Sequence, residues 1–179
     1  MRFTLIIFLA LCLLFISCTD KNEKKTSAIT FDLYNDLYNF SEKMRNGDTI
    51  LINAMIGVCT SNCKEFNTVF KLNDSVFIQS TVVDIFPNGE SKSLIKTYYS
   101  VEKNDTLNFE NFFSYVKTTS IEPDPASSCT LQAIYKKDTI EFFANNLVKF
   151  LKQIDYYNRI KARIYPDEEV FKPEIVTEE

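Results

Sequence analysis

The chain contains no histidine and no tryptophan, and only three of its 179 residues are glycine. Without histidine it cannot build a Ser-His-Asp triad, a Cys-His pair or a histidine-ligated metal site. Neither the G-x-G-x-x-G nor the G-x-x-x-x-G-K phosphate-binding pattern occurs. We therefore expect no catalytic residues, no metal site and no cofactor, and we expect that the protein is not an enzyme.

An excess of positive charge is also missing. Twenty Lys and Arg residues stand against 24 Asp and Glu residues, giving a net charge of −4. Nucleic-acid binding requires clustered Lys and Arg, so we expect no nucleic-acid partner. Phenylalanine and tyrosine are abundant, with 16 and nine residues. They predict a large aromatic core in a chain whose length suits one domain.

The amino-terminal segment is the most informative part of the sequence. Arg2 is followed by an apolar run over residues 3–16 and then by Ser17 and Cys18. Fourteen helical residues span about 21 Å, short of the ~30 Å hydrocarbon core, which disfavours a transmembrane anchor. A plain secretory signal remains an alternative, although such signals usually end in an Ala-x-Ala type site.

The small Ser17 before Cys18 resembles the cleavage site of bacterial lipoprotein signal peptides. Phe15, three residues before Cys18, together with a chain rich in Asn, Lys, Ile and Phe, is similar to lipoproteins of the Bacteroidota. The resemblance implies cleavage between Ser17 and Cys18 and a lipid such as palmitate on Cys18. The partner implied at this end is a membrane of the cell envelope. Thr19, rather than aspartate, follows Cys18 and favours the outer membrane.

Composition divides the chain into four parts. Residues 1–17 are the predicted signal peptide, and residues 18–29 form a polar, lipidated tether without apolar periodicity. Residues 30–165 are predicted to form the globular domain. The acidic, proline-broken residues 166–179 are expected to be a disordered tail.

Apolar periodicity predicts an α+β domain: a mostly antiparallel sheet of five to seven strands, with helices packed on one face. Helices are predicted from Thr30 to Asn46, over Thr106–Lys117 and from Asn145. Both helix and strand are open for Arg159–Ile164. The predicted strands are Thr49–Val58, Phe66–Leu72, Ser75–Phe86, Ser91–Val101, Cys129–Tyr135 and Thr139–Phe143.

Cys59 and Cys63 lie between two predicted strands, where a disulfide would pin the turn of an exported protein. A bridge from either cysteine to Cys129, or three free thiols, are the alternatives. Three cysteines without histidine make a poor zinc site. The carboxylates Glu122 and Asp124 lack the dense spacing of a calcium loop.

Tyrosines near the ends of predicted elements could form a binding face, because a large ring with a polar tip suits recognition. Core packing is the competing interpretation for each. The candidates are Tyr98, Tyr99, Tyr156, Tyr157 and Tyr165.

Three classes of function remain open. The favoured one is a non-enzymatic binding or assembly lipoprotein with an unknown protein partner. The second is an inhibitor or immunity-type lipoprotein that neutralises a toxin or enzyme, and an acidic cluster on one face would favour it. The third is a carboxylate-dependent envelope enzyme, which requires a deep pocket with converging carboxylates. An exposed apolar patch would favour the first class.

Overall fold

The computed structural model describes residues 30–58, 61–84, 91–102, 104–123, 128–144 and 146–168, with backbone alone at 56–58, 61–63, 84 and 128. The predicted signal peptide, the tether and residues 169–179 lie outside this range. The described residues from Phe31 onward belong to one compact unit.

The described part of the chain forms one antiparallel sheet of seven strands, which confirms the predicted α+β class. The order is β4-β3-β2-β1-β6-β7, and β5 pairs with β3 beside β4. The strands are β1 (Thr49–Val58), β2 (Ser61–Leu72), β3 (Ser75–Asp84), β4 (Ser91–Ser93), β5 (Thr97–Tyr99), β6 (Ser128–Tyr135) and β7 (Asp138–Ala144).

Short turns set the register of the hairpins. Asn73 and Asp74 both have positive φ, 49° and 60°, and join β2 to β3 with Leu72 paired to Ser75. Asn and Asp tolerate this left-handed backbone better than other non-glycine residues, so the pair suits a tight hairpin turn. Tyr135 pairs with Asp138 in the β6–β7 hairpin, where Lys136 has a φ of 55°.

All the described helices lie on one side of the sheet. The amino-terminal helical region has two four-residue helices, α1 (Leu33–Asp36) and α2 (Phe40–Lys43), joined by a 3-10 turn at Leu37–Asn39. The longer helices are α3 (Phe109–Thr119) and α4 (Leu147–Ile164). The alternative of a strand at Arg159–Ile164 is therefore wrong, and α4 continues through it.

Side-chain oxygens cap the amino-terminal ends of these helices. Asp32 caps α1 by accepting a hydrogen bond from the backbone N–H of Tyr34. Asn108 and Asn146 cap α3 and α4 in the same way. Each cap satisfies a backbone donor that the first helical turn leaves without a partner.

The core lies between the helices and the inner face of the sheet. Alternate residues of β1 are buried, Ile50, Ile52 and Ala54, because successive strand side chains point to opposite faces. Opposite them the helices contribute aromatic rings, including Phe40, Phe109, Phe112 and Phe113.

The prediction of one continuous strand over Ser91–Val101 is wrong. The segment is divided into β4 and β5, which pair with different parts of β3. Between them the buried Leu94 donates its backbone N–H to the carbonyl of Ser80. The strand is therefore broken where Leu94 enters the core.

Candidate functional site: the open face of the sheet

The outer side of the sheet, which we call the open face, faces away from the helices. Its apolar residues on β1, Leu51 and Met55, alternate with buried residues and are each 41% exposed. Phe66 on β2 is 43% exposed, and Tyr98 on β5 is 59% exposed. Among the described residues, no helix or loop covers these side chains.

Aromatic rings pack against one another along β2, β3 and β5. Phe70 stacks on Phe77 with ring centroids 5.7 Å apart, and Phe77 meets Tyr98 edge-on at 6.0 Å. The ammonium of Lys96 lies 4.8 Å from the centroid of Phe77 and 5.8 Å from that of Phe70. This cross-strand packing holds the rings in fixed positions while leaving part of their surface exposed.

The opposite flank of the open face is acidic. A groove of about 790 Å³ runs beside β7 and is lined by Glu122, Glu141, Ile134 and Phe143. Glu141 accepts a hydrogen bond from the side-chain amide of Gln132 at 2.6 Å. On the β2 side, Lys64 is exposed beside Phe66. The exposed aromatic rings and the lysines Lys64 and Lys96 therefore lie on the β2–β3–β5 side of the open face, and the carboxylates lie on the β7 side.

A small cleft opens where β6 leaves β1. The β1–β6 pairing ends at Ala54 and Leu131, and the cleft beyond it has a volume of about 250 Å³. Met55, Phe66 and Leu131 supply apolar lining, and Cys129 lies at its wall. Burial raises the pKa of the Cys129 thiol, and the negative charge of Glu141 raises it further. The thiol is therefore held in its less nucleophilic form.

A buried polar cluster lies on the inner face, beneath these strands. The ammonium of Lys161 on α4 is 3.1 Å from a carboxylate oxygen of Glu65 and donates to Asn67 at 2.6 Å. The hydroxyl of Tyr157 donates to Glu65 at 2.9 Å. Ser80 and the hydroxyl of Tyr165 complete the cluster.

Burial opposes charge on both members of the ion pair. It raises the pKa of Glu65 and lowers that of Lys161, while their mutual attraction acts in the opposite direction on each. Lys161 is fully buried and Glu65 is 2% exposed. A substrate cannot reach this cluster, and its contacts fasten α4 to the centre of the sheet.

The structure does not bring the five candidate tyrosines together on one exposed face. Tyr99, Tyr157 and Tyr165 are core residues, so a binding face that includes them is wrong. Tyr156 is half-buried, and its hydroxyl donates to the carbonyl of Thr106 at 2.5 Å. Only Tyr98 among the five contributes to the open face, because neighbouring residues in a strand point to opposite sides.

The sequence patterns did not identify the rings that do form the exposed surface, Phe66, Phe70 and Phe77. Phe66 and Phe70 lie in the alternating segment that predicted β2, and the same alternation continues through Phe77. Alternation marks two faces of a strand but does not reveal which one the helices cover.

Cys63 lies inside β2, paired with Ile56, and not in the predicted connection between strands. Cys59 lies outside the described residues, so the Cys59–Cys63 bridge stays a prediction. β1 separates β2 from β6, which places Cys63 and Cys129 about two strand spacings, ~9.6 Å, apart. A disulfide requires Cα atoms within about 7 Å. Cys129 is a free thiol in the structure.

None of the helices in the described residues is both long and apolar enough to cross a membrane. The same residues contain no cluster of three or more potential acidic or thiol metal ligands. Searches against protein-family models, curated proteins and solved structures find no match for the chain.

Proposed function

We propose that the chain is a lipid-anchored protein of the cell envelope that acts by binding a protein partner, without catalysis. The lipid would be carried by Cys18, after cleavage at Ser17. The binding surface would be the open face of the sheet. One observation carries this proposal: a broad, apolar, aromatic surface is exposed on the side of the sheet that the described helices do not cover.

Physical reasons favour binding at this surface. Soluble monomers rarely expose large contiguous apolar patches, and exposed patches of this kind commonly mark interaction sites. Phe70, Phe77 and Tyr98 are already ordered by ring packing, so a partner would lose little conformational entropy on meeting them. The polar Asn53 and Gln132 between the apolar residues provide hydrogen-bonding groups at the same surface.

The two alternative functions have less support. An inhibitor that mimics an acidic ligand requires clustered carboxylates, whereas Glu122 and Glu141 are two acids beside the apolar residues Ile134 and Phe143. A carboxylate-dependent enzyme requires an accessible acid with a shifted pKa. Glu65 has such a shift, but it is sealed by Tyr157 and Lys161.

Site-specific photo-crosslinking tests the binding role. A photoreactive phenylalanine analogue would replace Gln79, which is exposed on β3, in the full-length chain in its own membranes. The matched control would carry the analogue at Glu42 on α2, on the helical side. We expect a discrete protein adduct from position 79, weakened by Phe66→Ser, and none from position 42. Equal adducts at both positions, or none at 79, would refute the assignment of the open face.

The lipid anchor needs a separate measurement. Intact mass and detergent partitioning of the wild type and of Cys18→Ser would report the lipid directly. We expect a lipid-modified mature chain beginning at Cys18, and we expect the serine variant to leave the membrane fraction. A serine variant that is processed at the same site and remains in the membrane would disprove the lipoprotein assignment.

A further inference from the structure

We infer that the exposed edge of β7 takes up an extended, basic peptide segment of the protein partner as an additional antiparallel strand of the sheet. This inference rests on the proposed binding role of the chain and adds the chemistry of the partner. It follows from the backbone groups along β7, from the groove beside them and from the charge of the groove's walls.

β7 ends one side of the sheet, so one row of its backbone groups faces away from β6. The carbonyl of Thr139 accepts the hydroxyl of Tyr34 at 3.4 Å. The hydroxyl of Ser120 accepts the N–H of Phe143 at 2.7 Å and donates to its carbonyl at 3.1 Å. The backbone groups of Thr139 and Phe143 therefore point outward. Because this direction alternates along a strand, the N–H and carbonyl of Glu141, midway between them, point outward as well.

The middle of this edge has no backbone partner among the described residues. Ser120 and the N–H of Ile121 satisfy Phe143 at one end. No described residue bonds to the outward N–H and carbonyl of Glu141 or to the N–H of Thr139. The strands β4 and β5 at the other side of the sheet have three residues each, whereas β7 has seven. A long edge with unpaired backbone groups is a template for an extended chain, which binds there by strand addition.

The groove beside this edge selects the side chains of the peptide. It has a volume of about 790 Å³ and is lined by Thr139, Glu141 and Phe143 of β7. Glu122 and Glu141 supply two carboxylates, and among the described residues no Lys or Arg forms a salt bridge with either. In an added strand, the residue opposite Glu141 projects to the same side of the sheet as that carboxylate, so a lysine there forms a cross-strand ion pair. The residues two positions away project to this side too, where Ile134 and Phe143 favour apolar side chains.

A peptide of this pattern tests the inference with the protein unchanged. The probe is Val-Thr-Lys-Thr-Val, amidated and labelled with fluorescein through two glycines. Fluorescence anisotropy with the full-length chain in detergent measures its dissociation constant. One altered probe is N-methylated at the lysine, which removes the N–H that would bond to the carbonyl of Glu141. Its matched control is N-methylated at the following threonine, whose N–H points away from β7 in the same register.

We expect the probe to bind, and we expect methylation at the lysine to weaken binding about tenfold, because it leaves the carbonyl of Glu141 unpaired. Methylation at the threonine should change the dissociation constant by less than about threefold, because no hydrogen bond to β7 is lost.

Charge is tested separately from the backbone. A probe with glutamate in place of lysine should bind about tenfold more weakly, because it places a third carboxylate beside Glu122 and Glu141. Glu141→Gln should remove most of the preference for lysine over glutamate and should preserve the difference between the two methylated probes. Glu42→Gln on α2 changes the net charge equally on the helical side, and it should leave every dissociation constant within about twofold of the wild-type value.

A probe whose dissociation constant is weaker than about 1 mM would overturn the strand addition. So would a lysine N-methyl group that weakens binding no more than the threonine one. Equal affinities for the lysine and glutamate probes would overturn the basic character of the partner. If the probe fails and the position-79 crosslink still yields a discrete adduct, the open face binds its partner without the edge of β7. If the probe binds as expected and position 79 yields no adduct, the peptide site stands and the assignment of the open face fails.

Discussion

At the scale of single residues, the least expected feature is Lys161, a fully buried ammonium in the middle of the domain. Its contacts to Glu65, Asn67 and Ser80 replace the water that burial removes. A buried pair of this kind contributes little by its presence, but removal of one partner leaves the other charge without compensation.

We predict that Lys161→Met lowers the free energy of unfolding by about 3–5 kcal/mol, because the carboxylate of Glu65 loses its counter-ion. The double variant Glu65→Gln, Lys161→Met should recover part of that loss. Lys152→Met, on the exposed side of the same helix, is the control and should have little effect. Urea denaturation gives the values, and a double variant less stable than the single one would contradict the explanation.

The buried Tyr99 allows a test of how burial affects stability at high pH. Burial raises the pKa of Tyr99 well above its usual 10.0, and the negative charge of Glu110 raises it further. In the unfolded chain Tyr99 ionises near pH 10, so above that pH the folded state binds more protons than the unfolded state. The stability contributed by Tyr99 is therefore complete below pH 10 and declines as the pH rises towards the raised pKa.

We predict that Tyr99→Phe flattens the decline of stability between about pH 10 and pH 11, by up to about 1.4 kcal/mol per pH unit for one proton. Denaturant midpoints measured across this range would check it. Identical slopes for the wild type and Tyr99→Phe would show that Tyr99 ionises normally in the folded protein.

At the scale of elements, α3 depends on a buried cap. The side-chain oxygen of Asn108 accepts the N–H of Asn111 at 2.8 Å, and its amide donates to the carbonyl of Asp105 at 2.8 Å. Asn108 is 2% exposed, so water cannot replace either contact.

We predict that Asn108→Ala destabilises the domain by about 1–2 kcal/mol, because a helix cap and a buried hydrogen bond are lost together. Asn108→Ser keeps a capping oxygen and should cost less than the alanine variant. Thermal and urea unfolding of both variants measure the difference. Equal losses for serine and alanine would show that the cap contributes nothing.

The elements also show what local patterns can and cannot predict. β1, the Asn73–Asp74 turn and the β6–β7 hairpin were predictable because alternation and turn chemistry involve neighbouring residues. The buried pair was not, since Lys161 lies in an ordinary amphipathic helix and Glu65 in an alternating strand. Contacts between residues so distant in the chain leave no local signal. For the same reason the sequence did not predict that Phe66 is exposed, because the face of β2 that becomes buried depends on where the helices pack.

At the scale of the whole molecule, one face of the sheet packs against the helices, and the other face is left exposed by the described residues. The inner face packs on the helices through rings such as Phe109 and Phe113, which are fully buried. The open face carries Phe66 with nearly half of its surface exposed. Substitutions on the two faces should therefore have different consequences.

We predict that Phe66→Ser changes the free energy of unfolding of the isolated chain by less than about 1.5 kcal/mol. Phe109→Ala should cost about 3–5 kcal/mol, because it removes a fully buried ring and leaves a cavity. Urea denaturation compares the two variants. A loss for Phe66→Ser as large as that for Phe109→Ala would show that the open face belongs to the folding core.

The contact between α4 and the central strands also determines when the domain can be completed during synthesis. Glu65 and Asn67 emerge early, whereas Lys161 belongs to the last described helix and Tyr165 follows directly after it. Until that helix has been synthesised, the carboxylate of Glu65 and the amide of Asn67 on the inner side of β2 lack their main hydrogen-bonding partners. Long-range contacts of this kind slow folding, since a large loop must close before they form. Native packing of this cluster therefore waits until the last described helix has been synthesised.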